Sequence, residues 1–155
     1  TANGIEHEGL VVAARRTGAH VFERVEGSVA ELRWFLSQGL PAIVGWWSPD
    51  EGDVDYDERW SPAERRVRDC GHFSVICGIE HNRILLMDPM WHVRCGRRHV
   101  IGRRWMAIRQ FHKRWYDTDT ETYDRVNRWY MVVHFDGVHL SSMVGGGTDH
   151  APFAA

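Results

Sequence analysis

The sequence predicts an α+β fold, an antiparallel sheet packed with helices. Three observations carry this. "HFSVICGIEHNRILLMD" is two strand-like runs joined by a short polar turn, the signature of an antiparallel hairpin. Short β-rich runs such as "AHVFERV", "AIVGWW" and "NRWYMVVHF" recur along the chain. Between them lie segments with helical spacing of apolar residues and recognisable caps. At 155 residues the chain is one domain with enough length for a real core.

The elements follow in order. "GIEHEGLVVAARRTG" puts Ile5, Leu10, Val11 and Ala14 on one helical face and ends at Gly18. "AHVFERV" is a short strand. "GSVAELRWFLSQGLP" opens with Ser28 and carries Glu31 three residues on, a capping box. Leu32, Phe35 and Leu36 give it an apolar stripe, and Gly39 with Pro41 stops it. "AIVGWW" is a buried strand. Residues 48–69 are a long polar loop. Strands near 72–79 and 83–88 follow, and "RRHVIG" is a further short strand. "RWMAIRQFHKRWYD" has Met106, Ile108, Phe111 and Trp115 on one side, as an amphipathic helix would. "NRWYMVVHF" closes the domain at about residue 136. Residues 137–155 are expected to form a flexible tail or one docked on a neighbour, available for assembly contact.

Composition narrows the function. A net charge of −2 gives no electrostatic case for nucleic acid or an anionic membrane. No apolar run reaches the roughly 20 residues of a membrane span. Three cysteines, Cys70, Cys77 and Cys95, without CxxC spacing suit a reducing, cytoplasmic compartment. Beside His72 the histidines form no HExxH and no zinc-type set with cysteines, so no metal and no cofactor is expected. "DVDYDERWSPAE" does place Asp53, Asp55, Asp57 and Glu64 at calcium-loop spacing, but Glu58 stands where the sharp turn wants glycine. The alternative is a solvated acidic loop balanced by Arg59, Arg65, Arg66 and Arg68. "YDTDTETYD" reads as a second solvated acidic loop.

His72 and Asp88 are the candidate chemistry. A turn centred near Glu80 or His81 sets them opposite or diagonal on paired strands, within side-chain reach. A carboxylate there can fix the imidazole tautomer and leave the second nitrogen as a base. Gly71 lets another segment approach closely. The plainer alternative is a polar strand end followed by an Asp-Pro turn. Trp46, Trp47 and Trp60 border the same region, as an aromatic substrate wall or as core residues.

"GHFSVICGIEHNRILLMDPMW" resembles the His and Asp segments of C39-like peptidases, a branch of the papain-like cysteine peptidases. The flanks are similar in order: "TANGIEHEGLVVAARRTGAHVFERVEGSVAELRWFLSQGLPAIVGW" before it, and "HVIGRRWMAIRQFHKRW" with "RWYMVV" after it. The resemblance covers about residues 4–134. It implies a papain-like domain acting on a peptide or related amide, with His72 as general base and Asp88 as its orienting acid. The family's nucleophilic cysteine starts an N-terminal helix, with an oxyanion-hole glutamine just before it, and this chain begins past that point. None of its cysteines replaces it easily. Cys70 shares a strand face with His72 but stands about 6–7 Å away; Cys77 faces the other way; Cys95 lies in the basic connection "RCGRR". Two functions are therefore expected. One is a cysteine peptidase completed by an upstream segment and inactive as residues 1–155. The other is a non-catalytic pseudopeptidase module that binds a peptide or protein partner.

Overall fold

The computed structural model describes residues 6–48, 55–95, 98–119 and 121–154. Its centre is a seven-stranded sheet in the order β5-β4-β3-β2-β8-β1-β9, with every pair antiparallel. The strands are β1 (His20–Arg24), β2 (Ala42–Trp47), β3 (Gly71–Glu80), β4 (Arg83–Cys95), β5 (Arg98–Ala107), β8 (Tyr130–His134) and β9 (Thr148–His150). A separate ribbon pairs β6 (Tyr116–Thr118) with β7 (Arg125–Asn127).

Strand alternation divides the core in two. Phe22, Ala42, Val44, Trp46, Ile76, Ile84, Leu86, Tyr130 and Val132 point to one face. There they meet Leu32 and Phe35 of α2 (Val29–Ser37) and Phe111 of α4 (Ile108–Arg114). The neighbouring positions Val21, Ile43, Phe73, Met131 and Val133 point the other way, onto Val11, Leu10 and Ala14 of α1 (His7–Arg16). The sheet is thus covered on both faces, and its centre carries near-continuous apolar runs.

Local chemistry fixes the helices. Ser28 Oγ accepts the Glu31 amide N–H at 3.2 Å, and Glu31 Oε2 accepts the Ser28 amide N–H at 2.8 Å. Such a cap is worth about 1 kcal/mol. In α1, Glu8 lies in the first turn and Arg15 and Arg16 in the last, each at the dipole end that favours its charge. Gly18, at φ +83°, lets the chain leave in the left-handed region.

Four expectations change. First, the polar loop contains a helix, α3 (Pro62–Val67), opened by a second capping box between Ser61 and Glu64. Second, the amphipathic helix over "RWMAIRQFHKRWYD" is half strand. Arg103 to Ala107 complete β5, where Met106 reaches the core by strand alternation, and the helix is Ile108–Arg114 only. Pairing with β4 along its length outweighs local helical preference. Third, "YDTDTETYD" is not all solvated. Tyr116, Asp117 and Thr118 are buried in β6. Fourth, the tail docks on its own sheet. A short helix, α5 (Ser141–Val144), precedes β9, which pairs with β1. Asp149 accepts the Leu140 and Ser141 amides at 3.0 and 3.1 Å. Beyond β9, the Phe153 ring lies under the Arg15 guanidinium at 4.0 Å.

Among the described residues no helix is long and apolar enough to cross a membrane.

Gly71 and Gly78, both in β3, differ in what surrounds them. A Cβ at Gly71 would collide with Asp117 Oδ1, whereas one at Gly78 would meet Leu85 at an ordinary 3.5 Å. Gly71→Ala is therefore expected to cost about 2–4 kcal/mol in urea denaturation, and Gly78→Ala less than about 1 kcal/mol. Equal effects would show that Asp117 moves aside freely.

Candidate functional site

The β3–β4 hairpin brings His72 and Asp88 together. Val75 faces Met87 and Ile76 faces Leu86. Continuing that register sets Ser74 across from Asp88 and His72 one diagonal step beyond. Nε2 of His72 lies 2.7 Å from Oδ1 of Asp88. The same oxygen accepts the Met90 amide N–H at 2.9 Å, so the turn that Asp88-Pro89 begins also holds the carboxylate. The Asp88 side chain is 4% exposed and that of His72 17%. With Asp88 accepting from Nε2–H, the remaining lone pair of the imidazole is on Nδ1.

The histidine ring has a second support. Trp46 faces His72 across β2 and β3, and the two rings meet edge-on at 5.9 Å. The indole is held in turn, because Trp46 Nε1–H donates to Ser74 Oγ at 3.0 Å. Arg104 of β5 lies over the same indole at 5.5 Å.

The three tryptophans do not form one open wall. Trp46 and Trp47 are 1% and 0% exposed, on opposite faces of β2. Trp47 stacks on Tyr116 at 5.6 Å, and half-buried Trp60 joins it through Tyr56. Trp46 alone meets His72 and acts as packing beneath the ring, not as a free surface.

The thiols divide similarly. Cys77 has no cross-strand partner; it is the extra residue of a β-bulge between Ile76 and Gly78. Its Sγ lies 3.7 Å from the Leu85 carbonyl, and burial pushes the thiol pKa up, the wrong direction for a nucleophile. Cys70 Sγ is 3.4 Å from the Arg68 carbonyl. Cys95 ends β4, and its side chain lies outside the described part.

The calcium-loop spacing is used otherwise. Glu64 Oε2 accepts from the Ser61 amide and hydroxyl at 2.9 and 2.8 Å, as the cap of α3. Arg59 grips Asp57, holding that carboxyl down to about 2. Asp55 is exposed, and Asp53 lies outside the described residues. No group of three or more potential ligands for a metal gathers among the described residues.

A cleft of roughly 450 Å³ opens on the other face of β3, beneath α1. Gly71 and Phe73 line it, so it and His72 are on opposite sides of one strand. At its base lies Asp117, 5% exposed. Two strand glycines make room for this carboxylate. A Cβ at Gly45 would sit 2.8 Å from Oδ2, and one at Gly71 would collide with Oδ1. Oδ1 accepts the Thr118 amide at 2.8 Å. His7 Nε2 is 3.2 Å from Oδ2, within ion-pair distance but outside hydrogen-bond geometry, so this buried nitrogen makes no hydrogen bond. The His7 ring stacks on Trp129 at 4.2 Å. Burial pushes the Asp117 carboxyl above its ordinary value, His7 and the Thr118 amide oppose this, and neighbouring Asp69 adds to it. Sequence reasoning missed Asp117 because it lies in an acidic run; the available signal was Gly45, a glycine inside an apolar strand.

Two outcomes follow. Millimolar calcium should leave the melting temperature unchanged; a rise would show a site that binds only the folded state. A carboxyl whose folded pKa is raised contributes stability below its unfolded value of 3.8. That contribution is lost as pH rises through the folded value. Asp117→Asn removes this loss and keeps an acceptor oxygen for Thr118. Between about pH 3 and about pH 7 the urea midpoint of the variant should therefore rise relative to the native chain. Parallel curves would show that His7 fully offsets the burial of the charge.

No protein-family model, curated protein or solved structure matches the chain.

Proposed function

We propose that the chain is a C39-like, papain-like cysteine-peptidase domain in which His72 is the general base and Asp88 its orienting acid, with a peptide or related amide as substrate. The 2.7 Å contact between Nε2 and Oδ1, with the acid buried and the base partly open, is the observation that carries it. In this reading Asp88 holds the tautomer that leaves Nδ1 free. A thiol gives its proton to Nδ1, and the thiolate sulfur attacks the substrate carbonyl carbon. The imidazolium then returns that proton to the leaving amine as the C–N bond breaks. In this reading the thiol comes from the upstream helix that the resemblance implies; burial raises the Cys77 thiol pKa and disfavours its thiolate.

A second reading is a non-catalytic module of the same fold that binds a peptide or protein partner. The cleft on the face opposite His72 favours it, since binding there needs no thiol.

The coding sequence ahead of Thr1 separates the two: a glutamine followed closely by a Cys-Gly helix start supports the peptidase. Residues 1–155 alone are expected to turn over no member of a peptide library. With a cysteine-bearing upstream segment restored, turnover should appear, and His72→Ala should lower it by about 10²–10⁴-fold. Turnover by the longer chain that ignores His72→Ala would sink the base assignment. Turnover by residues 1–155 that Cys70→Ser abolishes would move the nucleophile to the residue just before β3. Absence of any such segment in the gene would favour the binding module.

A further inference from the structure

We propose that the cleft beneath α1 binds an organic cation, an ammonium or guanidinium on an alkyl stem such as a lysine or arginine side chain carries, with Asp117 as its anchor. The site is separate from the His72–Asp88 pair and does not depend on the peptidase assignment.

Three costs converge at the base of this cleft. Gly45 lies inside β2, where glycine weakens the sheet, and Gly71 opens β3 where any Cβ would collide with Asp117. A carboxylate is buried that solvent would otherwise stabilise. His7 stands close, with Nε2 3.2 Å from Oδ2 but buried and outside hydrogen-bond geometry. An apolar residue at position 117 with ordinary side chains at 45 and 71 would avoid all three. Folding therefore gives no reason for the arrangement, whereas a bound donor facing Asp117 does.

The walls select the donor. Asp69, Asp119, Glu8 and Glu121 line the cleft along with Asp117. Of the basic residues in the lining other than His7, Arg15 is engaged with the Ala151 carbonyl at 2.6 Å and the Phe153 ring, and His150 with Glu23 at 2.7 Å. The cleft thus favours positive charge. Val11, Val12 and Phe73 supply an apolar wall for the stem. A metal ion fits less well, because Asp117 Oδ1 already accepts the Thr118 amide and Asp69 Oδ1 accepts both Thr118 Oγ1–H and the Gly71 amide. No described group of three potential metal ligands gathers there. A cation that donates hydrogen bonds matches what remains.

The test is an NMR titration of the purified 155-residue chain. The probes are agmatine, a capped Gly-Lys-Gly peptide, and the same peptide with norleucine for lysine. Agmatine and the lysine peptide should bind saturably and shift the Gly71, Phe73 and Thr118 amides, while the norleucine peptide should not. Agmatine binding as tightly as the peptide would identify a free amine as ligand; tighter peptide binding would identify a peptide side chain. Asp117→Asn should weaken binding roughly ten- to a hundred-fold, the loss expected for one charge-assisted hydrogen bond. Asp69→Asn, on an exposed residue and with its acceptor oxygen kept, should weaken it several-fold, and decides the matter if Asp117→Asn does not fold. His72→Ala should leave binding unchanged, so failure here and failure of the peptidase reading are told apart. Equal binding of the norleucine peptide, no saturation by either cation, binding undiminished in both Asp variants, or displacement of the probes by equimolar calcium would overturn the proposal.

Discussion

The register between β2 and β3 is the constraint on which both polar clusters depend. Gly45 faces Phe73, Trp46 faces His72, and Trp47 faces Gly71. Because side chains alternate, this one pairing sends His72 and its supporting indole to the α2 face. It sends both glycines to the α1 face, where Asp117 enters. A slip of one residue would exchange the faces. His72 would then point at Asp117, and Asp88 would lose its partner. The apolar residues that lock the register, Val44 and Ile76 on one side and Ile43 and Phe73 on the other, therefore also position the titratable groups.

The two His–Asp contacts differ in kind. His72 and Asp88 share a short, well-directed contact within a single hairpin, and a backbone amide completes the carboxylate. The sequence distance is small, and the turn alone sets the approach. His7 and Asp117 come from α1 and from β6, and tertiary packing brings them together. Their geometry is poorer: His7 Nε2 stands 3.2 Å from the buried carboxylate without meeting hydrogen-bond geometry. Local constraint yields precision in the first case; in the second, two elements distant in sequence leave a polar contact unfinished beside open space.

Legibility in the sequence follows the same division. The hairpin could be read because its turn and its alternation are local, and the capping box at Ser28 for the same reason. The identical box at Ser61 was legible in principle, but Glu64 also satisfies calcium-loop spacing, and α3 buries no side chain that would give it an apolar stripe. The apolar spacing starts the helix after β5 too early because Met106, Ile108, Phe111 and Trp115 suit a helical face, while Met106 suits strand alternation equally well. Only pairing with β4 decides between them. Asp117 was illegible because nothing in an acidic run marks the one residue that is taken out of water.

The bulge at Cys77 has a consequence for how this strand is read. Core-facing positions in β3 run His72, Ser74, Ile76 and then Ile79, an odd step among even ones. The ladder treats Cys77 as surplus: its neighbours pair as though it had been inserted into an otherwise regular strand. A sequence lacking that single residue would keep His72 and Ile79 facing the same core with no change of phase. When this chain is aligned with others of its architecture, a one-residue gap belongs at Cys77 rather than in the turn. An alignment that closes the gap elsewhere would put the residues between the two points on the wrong face.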